Sequence, residues 1–271
     1  MTIRDKTLLG EIPSGLRIFD AHAHVTMGKC TSLAIYTLPL KESINHSKKI
    51  GINGQAVSHT AAFGCNPVAP NDSLVEICRE NNDYLFFYLV YDPHYHEESF
   101  EQLKKYKNHP NFIGIKIHPR DSKADLGSKD FDMLFDFTEK EDILTLCHTW
   151  DTEPMNRPIQ FQRHLENHPK LKVLMGHMGG TYKGCTDSLE LAQKYENVYC
   201  DINGSLYSQI WIEELVKWIS AEKLIFSTDQ VFNDPRIIVG RVLLSEISDD
   251  KKELILCGNF ERIMGRRLVD L

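Results

Sequence analysis

Short apolar runs alternate with longer amphipathic stretches along the whole chain, at a period of about 30 residues. The runs fall at 17–24, 53–59, 84–91, 112–118, 143–148, 172–177, 197–202 and 223–229, and several are rich in Val, Ile, Leu and Phe with no clean polar alternation. Runs of that kind suit strands covered on both faces, as in a parallel sheet. The stretches between them carry apolar residues at helical spacing. Residues 73–82 bring Leu74, Val75, Ile77 and Cys78 together behind Asn71 and Asp72, two candidate caps. Phe100, Leu103 and Tyr106 recur at intervals of three in 97–107, and 187–195 carries Leu189, Leu191 and Ala192. Trp211, Leu215, Trp218 and Ile219 share one side of 210–219. Residues 235–245 open on Pro235, which a first helical turn tolerates. Helices at 40–50, 131–140 and 157–167 complete the alternation, and 249–271 predicts one or two more.

Eight strands alternating with eight helices predict an α/β fold, the closed (β/α)8 TIM barrel. An open doubly wound sheet is the alternative, but it expects a glycine-rich turn after its first strand. Here that strand ends in His22-Ala23-His24-Val25, with no Gly-x-Gly. No linker, low-complexity run or short repeat interrupts the pattern, so residues 1–271 are read as one barrel domain with its C-terminal helices packed on the barrel.

Composition changes this picture little. A hydrophobic fraction of 42% and a charged fraction of 25% are ordinary for a globular protein. A net charge of -7 argues against general nucleic-acid binding, which needs a basic surface. The start of the chain lacks a signal peptide's apolar core. The longest apolar run spans about eight residues at 84–91, far below the roughly 20 that cross a bilayer. The seven Cys are scattered, with no Cys-x-x-Cys, as for reduced thiols in the cytoplasm. No heptad or apolar stripe specifies an oligomer, and a homo-oligomer is compatible with the sequence.

The candidate chemistry lies at the strand ends. His22 and His24 are two residues apart on a strand, so alternation points both side chains the same way. A second pair, His94 and His96, falls on a loop beside an acidic helix start and reads as solvated. His148, His177 and Asp229 each close a later strand. The C-terminal strand ends of a parallel barrel converge on one face, where barrel enzymes place their sites. Together the five residues offer the nitrogen and oxygen ligands that zinc or a similar divalent ion takes.

The motifs Phe19-Asp20-Ala21-His22-Ala23-His24, Gly114-Ile115-Lys116-Ile117-His118-Pro119, Cys147-His148-Thr149, Gly176-His177-Met178-Gly179-Gly180 and Ser227-Thr228-Asp229 occur in that order. With the closing Leu256-Cys257-Gly258-Asn259-Phe260-Glu261-Arg262-Ile263-Met264-Gly265, the set resembles the amidohydrolase superfamily. The likeness is strongest to its single-metal branch, which includes lactone hydrolases and non-oxidative decarboxylases. It implies His22, His24 and His148 as nitrogen ligands and Asp229 as the last ligand and proton acceptor. His177 would lie beside the metal, on water or substrate. The implied cofactor is one divalent ion, zinc by default, with manganese or cobalt also fitting. Lys116 keeps a two-metal alternative open, because superfamily members with two ions carry a carboxylated lysine on strand four. In the single-metal setting Lys116 instead binds a substrate carboxylate or pairs with an acid.

Residues near the strand ends are candidate substrate readers. Arg120 and Arg157 suit a carboxylate clamp, or are ordinary surface arginines. Trp150 can form a pocket wall and His118 can line it. Asp20 reads as structural, holding a loop or bonding within the barrel. The leading expectation is a metal-dependent hydrolase of a small ester, lactone or amide, its substrate carrying a carboxylate. A decarboxylase using the same ligands is the second, and a non-catalytic binding barrel the third.

Overall fold

The computed structural model describes residues 1–12, 14–26, 38–204 and 211–270. Eight strands form one sheet in sequential order: β1 (Phe19–Val25), β2 (Gly54–His59), β3 (Leu85–Val90), β4 (Phe112–Ile117), β5 (Leu144–His148), β6 (Val173–Gly176), β7 (Val198–Asp201) and β8 (Leu224–Ile225). Every neighbouring pair is parallel. Closure of the barrel is made by backbone bonds just past the short last strand. Ala21 N–H donates to the Phe226 carbonyl at 3.1 Å, and Asp229 N–H donates to the His22 carbonyl at 2.8 Å. The helices are α1 (Ile3–Leu8), α2 (Leu40–Lys49), α3 (Val68–Glu80), α4 (His96–Tyr106), α5 (Asp132–Lys140), α6 (Gln162–Asn167), α7 (Tyr182–Lys194), α8 (Ile212–Trp218), α9 (Pro235–Leu243), α10 (Asp249–Glu253) and α11 (Asn259–Met264).

The architecture is the expected barrel, with local departures that have physical causes. Helix α3 begins at Val68, not at 73, because Pro70 sits in its first turn, where a missing N–H costs nothing. Asn71 is therefore no cap. It is buried, and its amide exchanges two 3.0 Å bonds with the Val90 backbone at the end of β3. Helix α7 begins at Tyr182, not at 187, because the Thr181 hydroxyl caps it by accepting from Gly184 N–H. The helix expected at 157–167 opens as a tighter 3-10 turn, Pro158–Phe161, before α6. The helix expected at 210–219 is seen as α8, and residue 210 lies outside the described residues. Helix α1 is additional to the expected elements, closed by a Thr2–Asp5 capping box. The strand expected at 223–229 pairs regularly only over Leu224–Ile225.

Two apolar layers follow from strand alternation. Ile115, Ile117, Cys147, Val173, Met175 and Cys200 face outward into the layer under the helices. Phe19, Phe86, Tyr88, Leu144, Leu146, Leu174, Tyr199 and Ile225 fill the interior with Phe260 and Ile263 from α11. Phe260 stacks on Phe19 at 5.3 Å between centroids, so α11 closes the N-terminal end of the barrel. The opposite end holds polar groups. In β1, Phe19 and Ala21 belong to the interior and Ala23 and Val25 to the outer layer. The β1–β2 register shifts between Asp20 and Ala23, so a bulge turns the strand there.

Asp20 ties this region together. Its buried carboxylate accepts from Thr228 N–H (2.9 Å), Thr228 Oγ1 (2.6 Å), Gln55 Nε2 (2.9 Å) and His22 N–H (3.3 Å). It links β1 to β2 and to the chain beyond β8. Asp20→Ala strands several buried donors, each worth about 1–3 kcal/mol when left unpaired. We expect a loss of roughly 2–4 kcal/mol in urea unfolding; a loss within about 0.5 kcal/mol would place the fastening elsewhere.

Candidate metal centre

The C-terminal ends of six strands bring imidazoles, carboxylates and one lysine into the barrel mouth. His22 Nδ1 lies 2.7 Å from Asp201 Oδ2, and its Nε2 lies 3.8 Å from Asp229 Oδ1. His24 Nδ1 lies 2.9 Å from Ser58 Oγ, and its Nε2 lies 3.0 Å from Asp229 Oδ1. Both rings are thus pinned by their outer nitrogens and turn Nε2 toward one carboxylate oxygen. A Ser hydroxyl can donate or accept, so Ser58 suits either His24 tautomer. Gly176 makes room for the His22 ring: a Cβ there would lie 3.3 Å from His22 Cε1 and 2.6 Å from the Cys147 carbonyl.

His177 and Asp229 both sit at positive φ, 63° and 57°, which non-glycine residues adopt at a cost of about 1–3 kcal/mol each. Hydrogen bonds hold the first turn: His177 N–H donates to Asp201 Oδ1 at 2.9 Å, and Gly180 N–H donates to the His177 carbonyl at 2.8 Å. Gly179 and Gly180 make the tight turn expected after His177, at φ +78° and +69°. A Cβ on Gly180 would also strike the Trp150 ring at 2.3 Å. The His177 side chain lies between Asn203 Oδ1 (2.5 Å from Nδ1) and His148 Nδ1 (3.1 Å from Nε2). Asn203 is oriented in turn, its Nδ2 donating to Ser227 Oγ at 2.8 Å and to Asp201 Oδ2 at 3.2 Å.

Among the described residues, two groups of donor atoms are close enough to hold an ion: His22, His24 and Asp229, and His22, His177 and Asp201, each with all its donor atoms within 4.8 Å of one another. Ligand bonds of about 2.0–2.2 Å place tetrahedral donors roughly 3.3–3.6 Å apart. The 3.0 and 3.8 Å separations around Asp229 Oδ1 bracket that spacing. The first group fits a divalent ion better, because outer partners already aim its imidazole nitrogens. In the second, Asp201 is engaged in orienting His22 and the His177 turn. His148 belongs to neither group. Its ring stacks between His118 (3.9 Å, 15°) and Trp150 (6.2 Å, 8°), and its Nε2 lies 3.6 Å from Glu153 Oε2 with no hydrogen-bond partner among the described residues.

Burial governs the electrostatics. It lowers His22 and His118 well below the usual imidazole range, His177 to about 3 and His148 to about 4, so the rings are neutral at pH 7. Burial also lowers Lys116 to about 8, against the opposing pull of Asp229 and Asp201. It pushes Asp201 up, and it would push Asp229 up too. For Asp229, however, His177, His24 and Lys116 outweigh burial and hold the carboxyl below its ordinary range.

The other expected residues divide. Lys116 is buried in the mouth, its Nζ donating to His22 Nε2 at 2.8 Å. His118 and Trp150 line the wall with His148. Arg120 is half exposed and already engaged: Nε donates to Asp121 Oδ1 at 2.8 Å and Nη1 to Glu153. Arg157 is exposed beside the 3-10 turn, where its N–H donates to Gln160 Oε1, and it does not join the cluster among the described residues. Asp201, Asn203, Ser58 and Glu153 were not anticipated. Asp201 had a legible signal: it lies at the end of strand seven, as His148, His177 and Asp229 do on theirs.

A (β/α)8 barrel with convergent His and Asp donors at its C-terminal mouth defines a class of metal-dependent barrel enzymes. The amidohydrolase family model matches residues 20–266, and the chain belongs to that family of enzymes. No curated protein sequence matches the chain. Among solved structures, 2,6-dihydroxybenzoate decarboxylase from Rhizobium superposes with a TM-score of 0.74 at 16% identity, covering 92% of this chain and 99% of that one. 5-Carboxyvanillate decarboxylase from Sphingomonas paucimobilis gives 0.75 at 13% identity, covering 93% and 100%. A dihydroxybenzoic acid decarboxylase from Polaromonas sp. JS666, with bound manganese and the inhibitor 2-nitroresorcinol, gives 0.72 at 15% identity, covering 92% and 97%. At these identities the likeness is one of fold.

Asp201→Asn keeps the side-chain shape but weakens the bond that orients His22. Loss of such an outer partner typically costs about 10–100-fold in metal affinity. A titration of the stripped protein with Mn2+ or Zn2+ should show that loss, and unchanged affinity would remove Asp201 from the site.

Proposed function

We propose that the chain is a metal-dependent hydrolase of a small ester, lactone or amide whose substrate carries a carboxylate. The observation that carries this reading is the convergence of His22 Nε2, His24 Nε2 and Asp229 Oδ1, with both rings pinned from behind by Asp201 and Ser58. These three residues would hold one divalent ion. Zinc suits the donor set, and manganese, bound in one structural neighbour, is the alternative. A bound ion supplies Lewis acidity to an oxygen of substrate or water.

The chain's own residues carry the rest. Asp229 is ionised at neutral pH, so it can accept the proton of an attacking water and return it to the leaving group. His177, fixed by Asn203, faces the same space. His148, the third nitrogen ligand that the family resemblance implies, would join the metal only by turning away from His177. Lys116 and His118 offer N–H donors to a substrate carboxylate, and the His118–His148–Trp150 stack forms a flat wall for a planar group. Arg120 would reach substrate only by leaving Asp121 or Glu153, and Arg157 only from outside the cluster.

Decarboxylation is the second reading, favoured by the decarboxylases among the structural neighbours. There the C–C bond to the carboxylate breaks, carbon dioxide leaves, and the carbon takes a proton from Asp229. That step starts from a protonated Asp229, whereas hydrolysis starts from the ionised carboxylate. The six free cysteines among the described residues suit a reducing compartment such as the cytoplasm. No helix among the described residues is long and apolar enough to cross a membrane.

Elemental analysis should find about one divalent ion per chain, lost in His24→Ala and Asp229→Ala. Turnover on a panel of lactones, esters and hydroxybenzoates in 18O-labelled water then separates the reactions. Label in the product acid supports hydrolysis; release of carbon dioxide with no label in the organic product supports decarboxylation. Full turnover after metal removal would sink both.

A further inference from the structure

Lys116 is the buried cation of the barrel mouth, only 1% exposed, and its Nζ lies 2.8 Å from His22 Nε2. With Asp201 accepting from His22 Nδ1, the lone pair of Nε2 points into the mouth, and Lys116 donates to that lone pair. The same nitrogen is one of the three donors that converge on the candidate metal position. One lone pair cannot serve an N–H and a metal ion together. The amine also lies among the buried carboxylates Asp229 and Asp201, whose charge opposes its own.

We propose that Lys116 is an internal occupant of the metal position. Its Nζ holds His22 Nε2, so an ion held by His22, His24 and Asp229 would require the amine to be displaced. The displaced amine stays on β4, two residues before His118 and the stacked wall, where it becomes free to meet an anionic group of the substrate. Metal loading would thus precede productive binding of the anion. The inference rests on the reading of His22, His24 and Asp229 as metal donors.

The test compares metal-stripped parent and Lys116→Met by calorimetric titration with Mn2+ and with Zn2+. Removing an occupant should tighten binding by about tenfold or more at an unchanged stoichiometry of about one, and should lower the melting temperature of the ion-free form. Equal affinity in the two proteins would overturn the inference while leaving the metal reading intact. Weaker binding or a lower stoichiometry in Lys116→Met would overturn it by making Lys116 a ligand, as a carboxylated lysine would be. No binding in either protein would overturn both. Should the variant not fold, crystals of the parent grown with and without Mn2+ answer the same question. The contact between Nζ and Nε2 should open beyond hydrogen-bond range in the loaded crystal, and its persistence there would contradict the proposal.

Discussion

The hydrogen bond from His22 Nδ1 to Asp201 is the interaction on which the barrel mouth depends. It spans β1 and β7, on opposite sides of the strand that completes the barrel, and it lies wholly out of water. A buried carboxylate and imidazole left apart would each bear a large desolvation cost. Paired, they fix one ring nitrogen toward Asp201 and the other toward Asp229. Asp201 then extends the arrangement, receiving the His177 and Asn203 backbone N–H groups. Asp20 does the equivalent work one layer below, fastening Thr228 so that the chain beyond β8 can present Asp229. Three buried carboxylates thus set the geometry of three imidazoles, His22, His24 and His177.

That geometry costs the backbone something. His177 and Asp229 leave their strands through left-handed turns, and the ladder of β8 stops two residues after it begins. A regular strand through 229 would carry its side chains along the barrel wall. The turns instead bring His177 and Asp229 across the mouth toward rings from β1 and β5. The apolar interior capped by Phe260 supports this arrangement from the other end, leaving the polar network to one face.

Much of this was legible in the sequence because burial on both strand faces leaves continuous apolar runs, and eight such runs with amphipathic stretches between them admit few folds. The residues closing those runs could be read for the same reason. What could not be read depends on three-dimensional neighbours. Asn71 looked like a helix cap, yet it serves the β3 backbone, a partner 19 positions away. Strand alternation put His22 and His24 together, but the bulge that moves Ala23 outward is not encoded by residue type. Arg120 and Arg157 have the same chemistry in sequence; only the fold shows one bound to Asp121 and Glu153 and the other apart. His148 closes its strand as a ligand should, while the structure stacks its ring between His118 and Trp150 and turns Nδ1 to His177.

The central claim is that His22, His24 and Asp229 share one divalent ion. Anomalous diffraction at the absorption edge of the bound metal, from crystals grown with Mn2+ or Zn2+, tests it most directly. The account predicts one strong peak per chain, within about 2.0–2.2 Å of His22 Nε2, His24 Nε2 and an Asp229 oxygen. A peak centred instead on Asp201 and His177, or no peak in the barrel mouth, would contradict it.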